Sequence, residues 1–131
     1  MTEDPAGVLY LRFRRTAGGP PGGAAYAELL ALLGAFTPVV EAAPPDGALA
    51  DVGGALRYFG RDVEDLASVI RVRALALHGV DCAIGAGPNP MVARLAARRA
   101  APGTTFVVAR GAEAAFLAPL PAAALDGVGT S

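Results

Sequence analysis

The sequence predicts an α+β fold, a mainly antiparallel sheet covered on one face by helices. Three observations predict it. Residues 8–13, VLYLRF, alternate strictly between two faces. The tetrad Pro44-Pro45-Asp46-Gly47 separates two short apolar runs as a hairpin turn separates strands. Between Asp62 and Gly79 an apolar stripe recurs at helical spacing.

The elements follow in order. In VLYLRF, Leu9, Leu11 and Phe13 share one face and Val8, Tyr10 and Arg12 the other, as in a half-buried strand. Residues 16–23, TAGGPPGG, hold four glycines and two prolines and predict a flexible connection. Ala25, Leu29, Leu32, Leu33 and Phe36 then mark a helix over 24–36, stopped by Pro38. PVVEAA and GALADV are the hairpin strands. Asp62 caps a long helix whose Val63, Leu66, Ala67, Ile70, Ala74 and Leu77 form one stripe ending near Gly79. VDCAIGAG (80–87) is a fourth strand. Asn89 caps and Pro90 opens a helix to about Arg99, TTFVVA (104–109) is a fifth strand, and AEAAFLAPL is a short helix before a Pro-rich tail.

Composition excludes several function classes. At 131 residues the chain fits one domain able to bury a core without disulfides. No run approaches the roughly 18 apolar residues of a membrane helix, so no membrane association is expected. The start MTEDPAGVLY does not read as a signal peptide, and Cys82 stands alone, which points to a reducing cytoplasm. The net charge of −1 gives no global pull on nucleic acid, so any DNA contact is local. All eleven basic residues are arginine. Of these Arg12, Arg14 and Arg15 at a strand end, and Arg94, Arg98 and Arg99 on the fourth-strand helix, are the candidates for phosphate contact. GAGPNP lacks the third glycine and the Lys-Ser/Thr of phosphate loops, so a plain strand-to-helix turn is expected and no cofactor. His78 suits a helix C-terminus, Cys82 reads as a buried small hydrophobe, and Asp51 as a solvated or capping acid.

In sequence and spacing, FTPVVE, PPDGALADVGG, VDCAIGAGPNPMVARLAA and FLAPLPAAALDGVG, in that order, resemble the palm of Y-family translesion DNA polymerases over about residues 24–129. The resemblance implies a ferredoxin-like βαββαβ palm spanning 1–131 as a single domain. In it, 16–23 stands in place of a fingers subdomain and 119–131 leads toward a helix-hairpin-helix thumb absent from the chain. It also implies two metal ions gripped by three acids. The matching positions are Arg12, Asp46 and Gly47, so one acid of three is kept. Where the family places a Lys that resembles a triphosphate contact, this chain has Pro90.

From these departures the expectation is a catalytically inactive palm, not an enzyme, with no bound metal and no cofactor. It would act as a binding or scaffolding module in bacterial DNA repair or damage tolerance. The alternatives are a residual nucleotidyl transferase using Asp46 with carboxylates from a partner chain, and a generic interaction domain. A protein partner or self-association is expected through a face uncovered by the missing fingers, toward which Val8 and Tyr10 point. Arg12 is expected to pair with Asp46 in the metals' place.

Overall fold

The computed structural model describes residues 7–60, 62–109 and 111–118. The elements are β1 (Val8–Arg15), α1 (Gly23–Gly34), β2 (Val40–Ala43), β3 (Gly47–Asp51), α2 (Gly53–Phe59), α3 (Val63–His78), β4 (Val80–Gly87), α4 (Pro90–Arg99), β5 (Thr105–Val107) and α5 (Glu113–Leu117). The sheet order is β2-β3-β1-β4-β5. Its first four strands are antiparallel throughout and take the ferredoxin-like order, while β5 pairs parallel to β4. The α+β class and the antiparallel-dominated sheet are those the sequence predicts. The tail 119–131, where the helix-hairpin-helix resemblance falls, lies outside the described residues.

Alternation in β1 sets the two faces of the sheet. Leu9, Leu11 and Phe13 are buried with Ala48, Ala50, Cys82, Ile84 and Ala86 from the neighbouring strands. Leu29 and Leu33 of α1 and Leu66, Ala67, Ile70 and Ala74 of α3 close this core, each 2% exposed or less. Helix α3 starts and stops where its sequence says. The Asp62 carboxylate accepts from the Asp65 amide at 2.8 Å, and Gly79 ends the helix at φ 62°, a left-handed conformation that suits glycine.

One helix lies on the opposite face. Gly85 stands opposite Tyr10 in the ladder, so it shares the outer face with Tyr10 and Arg12. A Cβ on Gly85 would lie 2.1 Å from the Ala97 amide nitrogen and 2.2 Å from the Ala93 carbonyl oxygen, both in α4. Helix α4 therefore packs backbone to backbone on β4. It forms the crossover between parallel β4 and β5, a connection long enough to hold a helix. Asn89 caps it by accepting from the Val92 amide at 2.9 Å, with Pro90 in its first turn. Beneath it Val92, Ala96 and Val108 form a second small core with Phe106 and Phe116.

Two local findings add to the sequence reading. Helix α2 is an element the sequence pattern does not mark, since it has seven residues and begins Gly53-Gly54. The Asp51 carboxylate accepts from the Gly53 amide at 3.2 Å just ahead of that helix, whose N-cap residue is Val52. His78 lies in the last turn of α3, its Nδ1 3.3 Å from Glu28 Oε1 on α1.

Candidate nucleic-acid interface

The outer sheet face carries the candidate site. Arg12 stands opposite Gly47 on β3 and Ala83 on β4. Asp46 belongs to the turn one residue before that pair, and its carbonyl accepts from the Phe13 amide at 2.7 Å. Tyr26 on α1 braces the turn from the core side. Its hydroxyl donates to the Gly47 carbonyl at 2.6 Å and accepts from the Ala43 amide at 3.1 Å, tying the end of β2 to the start of β3.

Two cavities share Arg12 and Asp46. One, of about 320 Å³, is lined by Tyr10, Arg12, Asp46, Arg94 and Arg98. The other, of about 430 Å³, adds Arg14, Asp81 and the Gly19-Pro20 connection. Arg94 and Arg98 reach one cavity because residues four apart share a helix face. The Arg94 guanidinium lies over the Tyr10 ring, 5.5 Å from its centroid.

The structure sorts the remaining candidates. Arg15 folds onto its own turn, with Nε donating to the Gly18 carbonyl at 3.1 Å. Arg99 lies over the rings of Phe106 and Phe116, at 5.1 and 5.9 Å from their centroids. Both therefore have local structural work. Val8 and Tyr10, expected on an open contact face, are half-buried, and Arg94 of α4 lies over the Tyr10 ring on that side of the sheet. Asp81, opposite Arg14 in the ladder, is a cavity residue that the motif reading missed. Alternation along β4 was its only signal.

The expected Arg12–Asp46 ion pair is absent among the described residues, within the 4.0 Å that defines one. Arg12 pairs with Gly47 at the end of the ladder and Asp46 lies in the turn beyond it, so no strand register sets the two side chains opposite one another, although both line the same cavities.

The donor set does not suit the two metals that the resemblance implies. Divalent cations of this kind take oxygen ligands, chiefly carboxylates. Among the described residues Asp46 is the one carboxylate that lines the smaller cavity, beside three guanidinium groups. Among the described residues no three or more His, Cys, Asp and Glu side chains gather where they could hold a metal ion.

Residues 23–98 match the impB/mucB/samB family. A DNA polymerase IV of Mesorhizobium japonicum is 40% identical over 72% of this chain and 22% of its own length. One of Dehalococcoides mccartyi is 35% identical over 78% of this chain and 26% of its own. The chain thus spans about a quarter of the length of these relatives. Among solved structures, an insertion ternary complex of Dbh DNA polymerase superposes with a TM-score of 0.71 at 23% identity, over 80% of this chain and 30% of that one. A DinB family error-prone DNA polymerase from Sulfolobus solfataricus reaches 0.66 at 16% identity, over 84% and 49%. These relatives overturn the expectation that the chain falls outside the enzymes. They are named DNA polymerases, and the family match extends over residues 23–98 of this chain. With residues 23–98 matched and relatives at 35–40% identity over most of this chain, the chain belongs to the impB/mucB/samB family.

Proposed function

We propose that this palm engages DNA through its outer sheet face and serves as a binding or scaffolding module in DNA repair and damage tolerance. The observation that carries the proposal is the convergence of Arg12, Arg94 and Arg98 on one cavity, on the side of the sheet away from the main core. Guanidinium groups held by a strand and a helix are suited to phosphate, and the net charge of −1 makes this patch a local attraction, not a global one. A solved relative at 25% identity with a TM-score of 0.67 is itself a ternary complex of Dbh polymerase, which supports the reading. Arg14, on the adjoining cavity, extends the patch. The connection over 16–23 stands, in this reading, where the family carries its fingers.

The partner half of the proposal rests on α3. Val72 and Leu77 are 63% and 66% exposed on its outer side, beside Leu75, which favours a protein contact there over one at half-buried Val8 and Tyr10. The module is assigned to a reducing bacterial cytoplasm, where a lone buried thiol such as Cys82 persists.

Fluorescence anisotropy with a labelled primer–template duplex tests the DNA reading. Binding is expected at low salt, and Arg98→Ala should weaken it and lower the salt slope by about 1. Absence of binding at about 50 mM salt, or an unchanged slope, rejects it. A second reading has its own support, because the named relatives are polymerases. It is a residual nucleotidyl transferase using Asp46 with carboxylates from a partner chain. Primer extension with magnesium or manganese, abolished by Asp46→Ala, would select it.

A further inference from the structure

We propose that the cavity lined by Tyr10, Arg12, Asp46, Arg94 and Arg98 binds a phosphate group directly through its guanidiniums, without a divalent metal. The inference deepens the DNA reading above and rests on it for the choice of phosphate as ligand.

Three features of the cavity carry the inference. The first is charge: among the described residues that line the cavity, arginines outnumber carboxylates, with Arg12 and Arg98 beside Asp46, so the cavity attracts anions where a metal site needs an excess of acid. The second is preorganisation. Arg94 is stacked on Tyr10, whose ring belongs to the central strand, and Arg98 lies one helical turn further on the same helix. The cations are therefore carried on packed elements, and less ordering is needed when an anion arrives. The third is space: the cavity of about 320 Å³ has room for a phosphate or short polyphosphate.

Asp46 makes the inference separable from a metal site, because the two assign it opposite signs. Beside a directly bound phosphate, its carboxylate repels the ligand. At a metal site it is the ligand that holds the ion. The same substitution, Asp46→Asn, therefore tightens phosphate binding in one case and weakens it in the other.

The phosphate has two sources, a free nucleotide or a nucleic-acid strand, and calorimetry in EDTA distinguishes them. The probes are inorganic pyrophosphate, a deoxynucleoside triphosphate, and a single-stranded oligonucleotide with or without a 5′-phosphate. Binding of pyrophosphate and the triphosphate assigns the site to free nucleotide. Binding of the oligonucleotide alone assigns it to strand phosphate. In either case Arg12→Ala and Arg98→Ala, both at exposed positions, should weaken binding about tenfold with an unchanged circular dichroism spectrum. Asp46→Asn should tighten it. Binding to none of the probes in EDTA, or binding that requires magnesium and is lost in Asp46→Asn, overturns the inference. Duplex binding kept alongside that result leaves the DNA reading standing. Pyrophosphate binding with no duplex binding does the reverse.

Discussion

The hydroxyl oxygen of Tyr10 lies 2.9 Å from the point that a Cβ on Gly47 would occupy. The two residues are diagonal neighbours on one face of the β1–β3 ladder near its end, two residues apart in register. Tyr10 thus uses the room next to the position where the family resemblance expects an acidic side chain. Restoring a carboxylate at residue 47 is consequently a two-residue problem.

The expected result is coupling. Gly47→Ala should destabilise the fold by about 1–3 kcal/mol, since the new methyl group meets the Tyr10 hydroxyl and, at 3.1 and 3.3 Å, the carbonyls of Ala43 and Leu11. Tyr10→Phe removes the nearest of these atoms, so the double variant should recover part of the loss. Urea unfolding of the four proteins measures the coupling. Strict additivity would show that Tyr10 does not limit the space at residue 47.

Gly85→Ala should be far more damaging, because its neighbours are the backbone of α4, which cannot rotate away as a side chain can. A loss at or above the usual overpacking range of about 1–3 kcal/mol is expected, with α4 and β5 displaced together. Gly54 is the control. A Cβ there meets nothing within 4 Å, and Gly54→Ala in α2 should stabilise by about 0.4–1 kcal/mol. Similar unfolding midpoints for the two alanine variants would refute the packing account of α4.

These glycines mark the limit of what the sequence shows. Helix α3 was legible because Asp62 and Gly79 are local signals, each acting on the backbone within a few residues. Asn89-Pro90 gave the start of α4 in the same way, and the β1 alternation named three of the largest core residues. The face that α4 covers was not legible, since GAG in β4 says that something approaches closely but not what. The arginines show the same divide. Their positions at a strand end and on a helix were readable, but only packing shows that Arg12, Arg94 and Arg98 converge while Arg15 and Arg99 turn to a carbonyl and to aromatic rings. The Arg12–Asp46 pairing turned on the conformation of the hairpin turn, which a composition pattern does not give: the two residues line the same cavities without closing to ion-pair distance.

Alkaline pH should weaken the fold through Cys82. Burial pushes its thiol from the ordinary 9.0 up to about 12, with Asp81 adding to the rise and Arg71 opposing it. The unfolded chain loses this proton near pH 9 while the folded chain keeps it. The stabilisation is therefore fully present below about pH 9 and is lost as pH rises toward 12, a span of about 4 kcal/mol. Urea unfolding between pH 8 and about 10.5 should show a shallower decline for Cys82→Ala than for the parent chain. Parallel curves would remove Cys82 as the cause.

Tyr26 is the residue through which the main core holds the turn that presents Asp46. Its ring packs edge-on against Phe13, with centroids 6.3 Å apart, while its hydroxyl bridges the Ala43 amide and the Gly47 carbonyl across the hairpin. Tyr26→Phe keeps the ring and deletes both hydrogen bonds, so about 1–3 kcal/mol of stability should be lost. Because those bonds flank residues 44–46, the loss should be local. Amide exchange should quicken at Ala43 and at Phe13, whose amide donates to the Asp46 carbonyl, and stay unchanged at Leu66 and Ile70 in α3. A variant with full stability, or with faster exchange spread evenly over α3 and the turn, would show that Tyr26 is an ordinary core aromatic and that the turn is held by its own backbone.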